Sequence, residues 1–273
     1  LKDRYMQQIT GPYKQPKENP RLREPIIGVL SDDLVNIREI FNNSSDLQLE
    51  ELTVCGVKTA FVMCEGMFNL HIFHNMVVGP LENLLLESPD ADALLNWVRK
   101  HAVFSGDMTE IHNYGDIAHR AMSGFVILLI DGQPLGIAMG LQGFPTRSIS
   151  ETESEVNIRG SREGFVESLR VNLTMIRRRL KTPDLKFEML NLGRSSHTDI
   201  CLVYRVDMVS QTILAEVRNR LLAIEMDVVL ESGYLQPYLE SKPLSLISSV
   251  GTTERPDTVA AKVSEGRIAI LVD

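Results

Sequence analysis

A chain of 273 residues has room for two domains of ordinary size, and a hydrophobic content of 44% excludes disorder by composition. The formal net charge of -8 excludes general binding to DNA or RNA, which needs a basic surface. Cys55, Cys64 and Cys201 fit neither a disulfide framework nor a paired metal knuckle, and read as reduced core residues of a cytosolic compartment.

In chain order, residues 1–25 are polar and carry Pro12, Pro16, Pro20 and Pro25, which predicts an extended leader without a signal peptide. Ser31 is placed as the cap of a helix whose Leu34, Ile37 and Phe41 share a face. "LQLEELTV" and "KTAFVMCE" predict two strands around Cys55-Gly56. Helical spacing follows at about 67–77, 90–101 and 113–122. "FVILLIDGQPLGIAMGL" predicts a hairpin turning at Asp131-Gly132. No apolar run approaches the ~18 residues of a membrane span.

"PTRSISETESE" (145–155) is a polar, proline-started linker. Beyond it, a helix is expected at about 162–180, turning in on Gly160 and capped by Ser161, with Phe165, Leu169, Leu173, Ile176 and Leu180 as its apolar stripe. Glu163, Glu167, Arg170 and Arg177 then face solvent, and Arg177-Arg178-Arg179 close the helix in accord with its dipole. "LKFEMLNL" and "TDICLVYRVD" predict strands. Ser210 opens a helix with Ile213, Val217, Leu221 and Ile224 on one face, and "RIAILVD" predicts a last strand.

"GDIAHRAMSGFVILLID" (115–131) is echoed by "PDTVAAKVSEGRIAILVD" (256–273), with one inserted residue. The predicted class is therefore α/β, with two related subdomains, each a mixed β-sheet flanked by helices, over 26–144 and 156–273. The echo also predicts that a longer parent chain continues past Asp273 with a hairpin partner.

"IRGSREGF" lacks the lysine and spacing of a phosphate loop, so a strand-to-helix turn is the stronger reading. His71 and His74 share a helix face, and Cys64 could complete three zinc ligands. Without a second cluster, core and interface histidines are the default. No nucleophile or metalloprotease signature appears, so no catalytic residue, metal or cofactor is assigned.

"EVNIRGSREGFVESLRVNLTMIRRRLKTPDLKFE", "DICLVYRVD", "VRNRLLAIEMDVVLESGYLQPYLE" and "TTERPDTVAAKVSEGRIAILVD" resemble the A subunit of the GerA-type spore germinant receptors, as do "VKTAFVMCEGM" and "FVILLIDG" more loosely. A related sporulation membrane protein shares these segments. The family usually has proline at Ser161, and both residues suit a helix start. The resemblance implies a soluble N-terminal domain on the cytosolic side of the inner spore membrane. It implies receptor B and C subunits as partners, self-oligomerisation of the full-length protein, and a response to small nutrients. No enzyme activity or nucleic acid is implied. Arg159, Arg162, Glu163, Arg177, Arg178, Glu254 and Arg255 are then candidates for contact with the partner half or another subunit. The alternative is a small-molecule binding module with its ligand in the cleft between the halves.

Overall fold

The computed structural model describes residues 19–86, 88, 90–100, 107–143, 163–240 and 248–273. Helix α1 (Leu30–Ile40) leads to strands β1 (Leu47–Val54) and β2 (Val57–Cys64). Segment 70–82, α2, is α-helical over Leu70–Phe73 and Gly79–Glu82 with a π-helical stretch, His74–Val78, between. Helix α3 (Ala91–Lys100), β3 (Met108–Ile111), α4 (Tyr114–Ala121), β4 (Phe125–Ile130) and β5 (Gly136–Gly140) complete a first unit. The second unit has α5 (Leu169–Arg179), β6 (Leu185–Leu192), β7 (Thr198–Arg205), α6 (Gln211–Leu222), α7 (Pro256–Ser264) and β8 (Ala269–Val272).

The first sheet runs β1-β2-β4-β5-β3 and the second β6-β7-β8. A mixed sheet was the expectation; every described pairing is antiparallel. The strands alternate faces, as their two-residue period requires. Ala60, Val62 and Cys64 pack towards α1 and α4, while Phe61 and Met63 pack towards α2 and α3. The second sheet is likewise sandwiched, with Phe187, Cys201 and Val203 under α5 and α7, and Ile200, Leu202 and Tyr204 under α6.

The two units repeat one another in detail. Thr59 pairs with Ile130 and Ala60 with Leu129; Ile200 pairs with Val272 and Cys201 with Leu271 in the same register. The N–H of Leu30, first residue of α1, is accepted by Asp131 Oδ1 at 3.0 Å, and that of Leu169, first residue of α5, by Asp273 Oδ1 at 3.0 Å. Ile26 N–H bonds to His112 O and Phe165 N–H to Glu254 O. Glu65 N–H bonds to Asp46 O and Val206 N–H to Asp184 O. Gly124 and Gly266 both take a left-handed backbone, φ +86° and +89°, where an added Cβ would strike Met67 O or Met208 O. In this alignment Tyr114 matches Pro256 and the echo needs no inserted residue.

Several boundaries differ from the sequence reading. Pro20–Arg23 forms a 3-10 turn, Leu22 packs on the first core and Pro25 bridges to Asn113, so 19–25 belong to the first unit. The cap of α1 is the distant Asp131 carboxylate, while Ser31 Oγ donates to Asp32. On α6 the buried residues are Leu214 and Leu221, and Ile213 is 59% exposed. Residues 1–18 and the 145–155 linker lie outside the described residues.

Candidate functional site

The units meet along α5, and its start is set by side chains that block an earlier turn. Asn172 accepts the N–H of Val166 at 2.8 Å and donates to Val166 O at 2.6 Å, which removes the backbone groups a helix from 162 would need. The helix therefore begins at Leu169, and Gly164 and Phe165 precede it. Leu169, Leu173 and Ile176 are buried against Phe187 and Val203, as the apolar stripe required.

Arg177 corrects the sequence reading most sharply. It was assigned to the solvated face, yet it is 0% exposed. Its Nε donates to Asp46 Oδ2 at 2.7 Å and its Nη2 to Asp46 Oδ1 at 2.9 Å, a two-point ion pair between the units. Thr182 O and Leu185 O each accept a further bond at 2.9 Å, and the guanidinium lies 4.8 Å from the centre of the Phe187 ring. Burial works against the charge, and the Asp46 carboxylate outweighs it, raising the pKa above the ordinary arginine value.

Around this pair the backbone of one unit docks on the other. Ser44 Oγ donates to Asp46 Oδ1 at 2.6 Å and accepts the N–H of Phe187 at 3.0 Å. Ser45 N–H donates to Phe187 O at 3.0 Å, and Asn42 Nδ2 to Pro183 O at 3.3 Å. Gly66, φ +73°, approaches α5 so closely that a Cβ would lie 2.1 Å from Thr174 Oγ1. Nothing in "NNSSD" marks Ser44 and Asp46 as partners of an arginine 133 and 131 residues away, so the sequence reading missed both.

The other candidates lie apart. Arg159 and Arg162 are outside the described residues. Glu163 pairs with Arg179 and is half-buried, before the helix and not in its first turn. Arg178 and Glu254 are exposed. Arg255 pairs with Asp257, Nη2–Oδ2 2.5 Å, at the start of α7. His71 and His74 are exposed, whereas Cys64 is fully buried, with its thiol pushed above the ordinary range by burial and by Asp46. The three therefore occupy different environments.

Beside the joint lies an open cleft of about 460 Å³, lined by Gln48, Glu65, Asn69 and His71 from the first unit and by Arg170 and Thr174 from α5. Arg170 and Glu65 form an ion pair across it. The cleft thus offers both signs of charge, a hydrogen-bonding wall and no activated nucleophile. Among the described residues no helix is long and apolar enough to cross a membrane.

A family profile described as "Bacillus/Clostridium GerA spore germination protein" matches residues 35–273. Spore germination protein KA of Bacillus subtilis (strain 168) is 31% identical over 263 residues, 95% of this chain and 47% of that protein. The B. subtilis uncharacterized membrane protein YfkQ is 32% identical over 256 residues, 91% of this chain and 48% of that protein. The chain thus spans about half the length of these relatives. A crystal structure of the N-terminal domain of the A subunit of the Bacillus megaterium spore germinant receptor GerK3 superposes with a TM-score of 0.72 at 29% identity, covering 92% of this chain and 93% of that one.

Proposed function

This chain belongs to the GerA spore germination protein family, and from that premise we propose that it is the N-terminal part of a germinant receptor A subunit. In this reading it takes part in nutrient-triggered spore germination through subunit assembly and signal transduction, without catalysis of its own. The observation that carries the reading is the likeness to the receptor A-subunit domain over nearly the whole of both chains. The buried Arg177–Asp46 pair supports it, because it makes two α/β units into one body suited to passing on a displacement. Receptor B and C subunits are the partners, the inner spore membrane is the setting, and 145–155 is the linker between a first unit that takes in 19–25 with 26–144 and a second of 156–273. The test is deletion of the parent gene, with spores assayed for germination on amino acids and sugars and for the amounts of B and C subunits in the inner membrane. Wild-type germination on every nutrient and unchanged B and C levels would overturn the reading.

A second reading rests on the cleft between the units, where Arg170 and Glu65 could part to hold the carboxylate and ammonium groups of a small zwitterion. Chemical-shift titration with amino acids and sugars tests it. Saturable shifts at Asn69 and Thr174 that vanish in Arg170→Ala support it, and flat titrations remove it.

A further inference from the structure

The repeat between the units leaves one half of a joint unused at each end. The alignment that places Leu30 on Leu169 and Asp46 on Asp184 also places Arg38 on Arg177, eleven-residue helix on eleven-residue helix. Within the chain, Arg177 of the second unit grips Asp46 of the first. Their counterparts, Arg38 and Asp184, are not engaged in this way. Arg38 is exposed, and among the described residues it makes no side-chain hydrogen bond or ion pair. Asp184 is half-buried, bonded only to Thr182 through its side chain, and in no ion pair among the described residues.

The direction of the contact explains why. Asn42, counterpart of Lys181, reaches past it to Pro183. Ser45, counterpart of Pro183, reaches past it to Phe187. In a twofold contact the Asn42–Pro183 bond would be matched by one between Ser45 and Lys181, but Ser45 bonds to Phe187 instead, so the units meet head to tail. A twofold arrangement would have brought Arg38 to Asp184 within the molecule and closed the joint. A head-to-tail contact instead leaves a free socket on the first unit and a free corner on the second.

The socket is visible. A cavity of about 300 Å³ is lined by Arg38, Asn43, Ser44, Leu47 and Leu49. Its counterpart in the second unit, around Arg177, Thr182, Leu185 and Phe187, is the seat filled by Ser44 and Asp46. The face of α1 beside it carries Val35, 51% exposed, where α5 has Thr174, 6% exposed under the first unit.

We infer that copies of this chain associate head to tail, the Asp184 corner of one seating in the Arg38 socket of the next as Asp46 seats against Arg177 within each chain. The inference deepens the assembly reading above by naming its self-contact. The chain's net charge of -8 opposes association at most surfaces, and this contact brings opposite charges together. One difference makes it looser than the internal joint: Asp207 stands where Gly66 allows the close approach to Thr174. A heterologous contact of this kind builds rings or filaments, not closed twofold dimers.

Cysteine cross-linking of the 273-residue chain tests it. On a Cys55→Ser background, a chain carrying both Arg38→Cys and Asp184→Cys should give a disulfide ladder running beyond the dimer, and either single variant should give none. A product that stops at the dimer means a twofold contact and overturns the inference, as does no product at the highest soluble concentration. Sedimentation equilibrium supplies an independent arm. Arg38→Asp and Asp184→Arg, each with unchanged circular dichroism, should weaken self-association about 10-fold, and an equimolar mixture of the two should restore it. Loss without restoration sinks the charge pairing. These readouts need no spores, so a failed ladder leaves the receptor reading standing, and normal germination of the gene deletion leaves the ladder standing.

Discussion

Arg177 and Asp46 form a two-point ion pair in which the arginine side chain is 1% exposed and the aspartate 6%, although 131 residues separate them. A buried pair of this kind contributes little over an apolar packing of equal volume, but removing one partner strands a charge away from water. Arg177→Met and Asp46→Leu should each destabilise the chain by about 3–5 kcal/mol, and the double variant should recover most of that loss. Urea denaturation of the three variants measures it, and equal losses in the double and single variants would refute the pairing account.

The paired helix caps make a second prediction. Asp131 and Asp273 accept the first N–H of α1 and α5 at the same distance, 3.0 Å. Asp131→Ala and Asp273→Ala should therefore cost similar amounts, about 1 kcal/mol each. Thermal melts that differ widely between them would mean that the caps are not equivalent.

Burial and the neighbouring Asp207 hold the Asp184 carboxyl above its ordinary range. A raised acid binds its proton more tightly when folded, so its contribution to stability is present below the ordinary value of about 3.9 and is lost as pH rises through the folded value. Asp184→Asn should then be more stable than the parent at neutral pH, with the difference closing below about pH 4. The same substitution should weaken head-to-tail association. Stability and self-association thus move in opposite directions, which general damage to the fold would not produce.

The cysteines differ in access. Cys64 and Cys201 are fully buried, and burial pushes the Cys201 thiol up to about 12. Cys55 is half-buried and donates to Leu84 O at 3.0 Å. A thiol reagent at neutral pH should modify Cys55 in the folded chain and the other two only in denaturant. Prompt native-state reaction at three sites would contradict the packing.

The alternation in "KTAFVMC" and the apolar run "FVILLI" were enough to place β2 and β4, because burial on a sheet face is written in a two-residue period. The echo ending at Asp131 and Asp273 likewise stood in the chain, since each repeat must rebuild the same strand, cap and turn. The start of α5 was misread because Asn172 withdraws the backbone of Val166 from the helix, a side-chain contact that periodicity does not encode. Arg177 was read as solvated because an arginine at a helix end usually is. Whether it is buried depends on what packs over that end, and here the first unit supplies Ser44, Asp46 and Gly66. Local patterning determines which residues can form a helix, a strand or a cap, because those choices involve near neighbours. The pairing of charges across the joint was decided only when folding brought residues 46 and 177 together, where low dielectric turns an ordinary surface pair into a fixed one.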